Sequence, residues 1–441
     1  MSSEMAAALV MEAKLNGASG NGDHKLAKTT NRVLTKRAVL WLGQTCNLRC
    51  YFCYFLNRIE DAEHPEHPFM TLEKAKQICH TLRYFYGNTA IDIQGGEPTI
   101  HPDILELIQY CHEIGLYPTL ITNGLVLAKK EKLQQFKDSG IRDFLVSLHG
   151  IGEIHDEVVC RKGAYEKIIA AIENMVELGI PFRFNCTMSK PVVPILPEIA
   201  RKAVHYGANA VNFIAFNPFE DQETGIRTHD NVARYSDIKP KLEEAMDILE
   251  EAGIECNVRY LPLCMAEERH RKNFYNFQQL PYDHHEWDYQ SWMWTGLQPQ
   301  RMKGGDLVPP FRLGPFADRV FRGMPELVRD NYKRRPVRGK VRFTGQHILS
   351  RVAQAVLGKD VLYRNEARKR ARIELKYKYH EGCETCSMRN ICDGFHGDYA
   401  ELHGTAEATP IDPGKPRTSN PLYYIQRQHK VVEREDASWA L

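Results

Sequence analysis

The chain lacks any stretch approaching the roughly 18 consecutive apolar residues of a membrane-spanning helix, which excludes that kind of anchor within its 441 residues. No export signal is expected either. Where a basic segment and an apolar core would stand, there are Glu4, Glu12 and the run Gly17-Ala-Ser-Gly-Asn-Gly22. The expectation is therefore a cytoplasmic protein. No disulfide framework is expected either, because six of the twelve cysteines fall into two tight groups, a pattern that favours metal binding in a reducing compartment. At 441 residues the chain exceeds the usual limit of one hydrophobic core, so one large catalytic domain with a smaller appended unit is expected.

The first cysteine group says most about chemistry. Cys46, Cys50 and Cys53 lie in Thr45-Cys-Asn-Leu-Arg-Cys-Tyr-Phe-Cys-Tyr54, directly after the apolar run Ala38–Leu42. Thiolates at this CxxxCxxC spacing can converge on one inorganic centre, and soft sulfur selects zinc, copper(I) or iron-sulfur clusters. Three ligands leave a fourth position open. A zinc knuckle ranks below a cluster, because the ten residues after Cys53 contain neither His nor Cys, and Tyr51, Phe52, Tyr54 and Phe55 form an apolar collar.

Across the first 250 residues, short apolar runs alternate with amphipathic segments in the rhythm of βα units. Strands are expected at Ala38–Leu42, Ala90–Gln94, Tyr117–Thr122, Phe144–Leu148, Pro181–Thr187 and Ala210–Phe216. Helices are expected at 71–85, 102–114, 129–139, 164–178, 195–206 and 236–252, several stopped by glycines such as Gly115, Gly179 and Gly207. Six such units make a parallel sheet curled into a partial barrel, whose active groups collect at the carboxyl ends of the strands. The second strand ends in Gln94-Gly-Gly-Glu-Pro-Thr99, where two glycines allow close backbone approach and Glu97 offers an anionic acceptor for an ammonium.

On CxxxCxxC and Gly95-Gly96-Glu97-Pro98 in successive units, residues 36–260 resemble the radical S-adenosylmethionine (radical SAM) superfamily. The resemblance implies an α/β fold built on a partial (β/α)6 barrel. It also implies a 4Fe-4S cluster on the three cysteines with one open iron for S-adenosylmethionine, whose amine meets the Gly-Gly-Glu-Pro loop. Reductive cleavage would then yield a 5'-deoxyadenosyl radical that abstracts hydrogen from substrate, with an external donor such as flavodoxin or ferredoxin supplying the electron. Asn123 at the end of the third strand, Ser147 after the fourth and Arg161 about a turn later match cosubstrate-binding places, and Asn185 on the fifth is either a ribose ligand or a buried loop cap. His149 and His155 read as satisfied loop histidines more than proton shuttles. Asn212 and Asn217 are candidates for the cavity lining. Cys79, Cys111, Cys160 and Cys186, scattered singly, read as core.

The second cysteine group is Cys383, Cys386 and Cys392, followed by Gly394 and His396. It resembles the CxxC part of SPASM and twitch extensions, but the full SPASM pattern has a further cysteine where His396 stands. One auxiliary 4Fe-4S cluster is the count this implies. Its fourth ligand is expected at Cys264, just beyond the last barrel unit, with Cys256, His396 or no protein ligand as alternatives. The organisation expected is a flexible segment 1–35, the barrel 36–260, an auxiliary-cluster extension 261–410 and a tail 411–441.

Between Cys264 and Cys383, the aromatic run 273–294 reads as a lid over the barrel mouth or as a satellite core, with Asp283, His284, His285 and Glu286 as polar candidates. Residues 329–378 then hold sixteen Lys or Arg against four acidic residues, while the whole chain carries only +2. That local surplus points to something anionic: a phosphorylated or lipid-like small molecule, or a membrane surface, ahead of nucleic acid, since no RNA-binding motif with stacking aromatics is evident there. The function expected is a radical SAM enzyme acting on a small or lipid-like anionic substrate. The alternatives are a peptide or protein maturase of the SPASM type and a non-enzymatic iron-sulfur scaffold or electron carrier.

Overall fold

The computed structural model describes residues 27–32, 36–53, 67–216, 227–283 and 375–440, with individual positions between 336 and 372. Expectations placed on Tyr54, Phe55, Asn217, His284, His285, Glu286 and the segment 1–26 lie outside the described residues. Ten strands are described: β1 (Lys28–Thr29), β2 (Arg37–Trp41), β3 (Ala90–Gln94), β4 (Tyr117–Thr122), β5 (Asp143–Ser147), β6 (Phe182–Met188), β7 (Ala210–Ala215), β8 (Glu255–Arg259), β9 (Phe274–Tyr275) and β10 (Lys430–Val431). Strands β2 to β9 pair in chain order, every pair parallel, as one sheet that curls into a half-barrel. The six expected strands are all present, shifted by no more than one residue at either end.

Each crossover is helical for the reason its sequence suggests. The helix Ala164–Leu178 buries Ile168, Ala171, Ile172 and Met175, a spacing of three, one and three that makes a single face against the sheet. Gly179, at φ +64, ends it by donating its N–H to the Met175 carbonyl, a turn that a side chain would strain. Among the described residues no helix is long and apolar enough to cross a membrane.

Two strands extend the expected six. β8 escapes a search for apolar runs because Glu255, Asn257 and Arg259 alternate with Cys256 and Val258, yet all five residues are buried. β9 is only two residues long. With β9, residues 273–283 are buried almost throughout, which corrects the lid reading for this part of the aromatic run: Phe274, Tyr275, Phe277 and Tyr282 pack into the main core.

Deep in the barrel lies a layer of buried charge. Arg37 pairs with Asp92 at 2.9 Å, Arg183 with Asp143 at 2.9 Å and Arg259 with Asp283 at 2.6 Å. The segment after Gln428 joins this layer: Lys430 Nζ lies 2.5 Å from Glu255 and 2.8 Å from Asp283, and Glu435 accepts from Arg142 at 2.5 Å. Charges this deep are tolerated because each is paired. β10 meanwhile pairs antiparallel with β1, so both segments lie against the same end of the barrel. Asp283 is thereby a structural partner of Arg259 and Lys430, with no place in an acid/base site.

Candidate active site

The loop that follows β2 is stitched on both sides. Gly96 donates its N–H to the Gly43 carbonyl at 2.9 Å and Glu97 to that of Thr45 at 2.8 Å, tying the Gly-Gly-Glu-Pro loop to the cysteine loop. A Cβ on Gly96 would collide with the Thr45 carbonyl, so glycine is required at this crossing. On the other side Arg49 and Tyr51 donate to the carbonyls of Val159 and Val158 at 3.4 and 3.3 Å. Cys46, Cys50 and Cys53 are thus held at the carboxyl edge of the sheet.

These three thiols line a cavity of about 220 Å³ together with Gly95, Gly96, Glu97, Asn123, Ser147 and Asn185. Val39, Ile121, Leu145 and Ile214 give it apolar walls, and Asp92 and Gln94 contribute polar groups from β3. Among the described lining residues none is Lys or Arg. Arg161 sits outside, exposed, donating to the Asn47 carbonyl at 2.9 Å, and Pro98 starts a buried 3-10 turn next to Glu97. Asn212 does not reach the cavity; its Oδ1 accepts from Asn257 at 3.0 Å in a fully buried pair.

Glu97 is buried and nearly saturated. Its Oε1 accepts from Thr99 N (3.0 Å), Thr99 Oγ1 (2.5 Å) and Thr122 Oγ1 (2.6 Å), and its Oε2 from Asn123 N (2.7 Å). Burial raises its pKa, and these four donors pull the other way. Only Oε2 keeps a free lone pair, which leaves room for one further donor. Asp92 Oδ2 and Asn185 Oδ1 are buried with no hydrogen-bond partner among the described residues, two more acceptors on residues that line the cavity.

The three thiols are half-buried. Burial first, then the nearby Glu97, pushes Cys46 up to about 12, and burial followed by Cys53 and Cys46 raises Cys50. Sulfurs that resist ionisation alone release their protons when a cationic centre neutralises them. Among the described residues no three His, Cys, Asp or Glu side chains close on a single metal ion, whereas the three thiols line one cavity, a donor set that suits a larger iron-sulfur cluster. The residues present therefore fit the group.

His149 and His155 behave as structural groups. His149 Nδ1 accepts from Thr187 N at 3.0 Å and His155 Nδ1 from His149 N at 3.2 Å, and burial lowers their pKa values to about 3 and about 4. Cys160 corrects the core reading: it is exposed, at φ +55, on the turn whose preceding residues hold the cysteine loop. Cys79, Cys111 and Cys186 are buried.

A second, smaller cavity of about 20 Å³ is lined by Cys264, Cys383, Cys386 and Cys392. Backbone N–H groups point at these sulfurs: Ile411 N lies 3.4 Å from Cys386, Thr409 serves Cys264, and Leu263 and Gly394 serve Cys392. Cys256 and His396 lie elsewhere. The Cys256 carbonyl accepts from Gln428, and His396 Nδ1 accepts from Asp398 N at 3.3 Å. Tyr260 joins the two places: it lines the first cavity, four residues before Cys264, and holds φ +69, an uncommon conformation for a side-chain-bearing residue.

The half-barrel, the cysteine loop and the glycine loop together define a radical SAM domain, and residues 42–192 match the Radical SAM superfamily. The chain is 28% identical over 206 residues to the AdoMet-dependent heme synthase of Oleidesulfovibrio alaskensis, covering 45% of this chain and 52% of the relative. It is 33% identical over 165 residues to the Fe-coproporphyrin III synthase of Methanosarcina barkeri, covering 37% and 40%. The chain thus spans about half the length of these curated relatives. Among solved structures, Streptococcus suis SuiB superposes with a TM-score of 0.42 at 18% identity, over 58% of this chain and 53% of that one.

Proposed function

We propose that the protein is a radical SAM enzyme acting on a small, lipid-like molecule, with Cys46, Cys50 and Cys53 holding a 4Fe-4S cluster. The observation that carries this reading is the single cavity shared by those thiols, the Gly95–Glu97 loop and the barrel interior. When bound, the reduced cluster supplies cleavage of the S-adenosylmethionine sulfonium to methionine and a 5'-deoxyadenosyl radical. The protein's residues do the rest. Glu97 Oε2 receives the methionyl ammonium, Asn123, Ser147 and Asn185 offer hydrogen bonds to the cosubstrate from neighbouring strands, and Arg161 stands at the rim for its carboxylate. Phe52, packed edge-on against His149 and Phe216, helps keep water from the reacting carbon.

The walls restrict the substrate. With aliphatic sides, Asp92 in the lining and no cation among the described lining residues, the portion carrying the reacting carbon is uncharged or bears hydrogen-bond donors; an anionic group would remain outside. Cys264, Cys383, Cys386 and Cys392 hold one auxiliary 4Fe-4S cluster within an extension spanning 261–410, and an external flavodoxin or ferredoxin supplies the electron. The test is anaerobic reconstitution with iron and sulfide, reduction by dithionite and chromatographic detection of 5'-deoxyadenosine. Absence of that product from a fully loaded protein would overturn the reading.

A further inference from the structure

Asp92 lines the cavity from the middle of β3, three residues before Gly95 and so about 10 Å further from the carboxyl edge of the sheet. It stands in register with Val39 of β2, another lining residue, and with Thr119 of β4. The groups that face the cosubstrate stand nearer the edge: Gly95 and Glu97 follow β3, Asn123 follows β4 and Ser147 ends β5. Asp92 therefore belongs to the floor of the cavity, beneath the place those groups reserve.

The two oxygens of this carboxylate are treated differently. Oδ1 accepts from Arg37 at 2.9 Å, and the same guanidinium nitrogen reaches Thr119 Oγ1 at 3.4 Å, which fixes that side to the charge layer below. Arg37 is shared with a second carboxylate, that of Glu435 at 3.7 Å. Oδ2 has no hydrogen-bond partner among the described residues, on a side chain wholly removed from solvent. A buried carboxylate oxygen without a donor is costly, and a fold retains one where a ligand or a bound water completes it.

We infer that Asp92 Oδ2 anchors the substrate, which brings a hydroxyl or an amine to it from the part of the molecule held inside the barrel. This rests on the radical SAM reading and narrows its substrate to one with a hydrogen-bond donor on an otherwise apolar body, as the walls of Val39, Ile121, Leu145 and Ile214 require. A carboxylate or ketone in that place would set acceptor against acceptor. A hydroxyl needs only the lone pair of Oδ2, whereas an ammonium also gains from the second carboxylate that Arg37 serves. A water that holds Oδ2 between turnovers is replaced without loss by a group that donates as it did.

The test uses ring-sized probes in place of the substrate. The full chain with its clusters, and with S-adenosylmethionine present so that Glu97 is already engaged, is dialysed anaerobically to equilibrium against benzyl alcohol, benzylamine, toluene or benzoate. The alcohol or the amine is expected to bind about ten-fold or more tighter than toluene and benzoate, and the tighter of the two tells hydroxyl from amine. In Asp92→Asn, Arg37 can only donate and so keeps the amide oxygen, which turns the amide N–H groups to the cavity. The order should then invert, with acetophenone preferred over benzyl alcohol by about ten-fold. Val39→Leu, which adds one methylene beside Asp92, should weaken every probe alike, and with the parent's order it decides the matter if Asp92→Asn shows no cooperative thermal transition. Toluene bound as tightly as both donors overturns the inference and leaves Oδ2 to water alone. So does an Asp92→Asn protein that keeps the parent's order, or binding that Val39→Leu does not touch. Failure of the enzyme reading would show separately, as no 5'-deoxyadenosine from a parent protein that still selects the donor probes.

Discussion

Glu97 shows how one side chain can serve both fold and cosubstrate. Every protein group around it donates, so the amide of Glu97→Gln must turn an N–H toward a donor or give up the free acceptor on Oε2. The loss is about 2 kcal/mol or more, so S-adenosylmethionine affinity measured by calorimetry should fall at least about thirty-fold. His149 and His155 make a different prediction. Folding holds them neutral, at about 3 and about 4, while the unfolded chain titrates near the ordinary value of 6.5. Below that value the unfolded chain binds more protons, so their contribution is complete above pH 6.5 and is lost as the pH falls. Each imidazole then costs about 2 kcal/mol at pH 5. His149→Asn, whose Oδ1 can replace Nδ1 as acceptor for Thr187 N, should lessen the fall in Tm between pH 7 and pH 5. The metal-type spacing of Cys46, Cys50 and Cys53 was readable in the chain, but the part played by Asp92 was not. Its sequence neighbourhood, Ile91-Asp-Ile-Gln94, is that of an ordinary strand, and only the curl of the sheet turns the carboxylate toward the cavity.

At the level of elements, the crossing between the cysteine loop and the Gly-Gly-Glu-Pro loop tolerates no side chain. Gly96→Ala should drive the two loops apart, and iron bound per chain after reconstitution should fall by about half, with the auxiliary iron retained. Cys264→Ala should remove the complementary half, because its sulfur is one of four around the second cavity. Equal iron content in both variants and the parent would refute the two-cluster reading. The strands β2 to β7 were legible because apolar residues dominate them, as expected where both faces of a parallel sheet are covered. β8 was hidden for the opposite reason. Its inward residues are charged or polar and find their partners in Gln428, Lys430 and Asp283, all distant in sequence, so no local window reveals that they are satisfied. Cys160 was misread because a single thiol carries no spacing signal, and its left-handed turn faces outward.

For the molecule as a whole, the buried charge layer makes the segment 428–436 part of the barrel. Lys430→Met would leave Glu255 and Asp283 buried beside an apolar chain. The loss, read from the urea midpoint at constant m-value, should be about 3–5 kcal/mol. A similar substitution at exposed Lys415 should change little, because its pair with Asp412 is largely solvated. The pairing of Lys28 with Val431 joins residues some four hundred positions apart. Closing so long a loop adds little to its entropic cost, which grows only with the logarithm of length, but it makes this contact among the slowest to find. Every βα unit can pack with its neighbour as it emerges from the ribosome, whereas this seal waits for β10, made some four hundred residues after β1. Until β10 is made, Glu255 lacks the ammonium of Lys430 and the backbone N–H of Val431, so that end of the half-barrel is completed only by this distant segment.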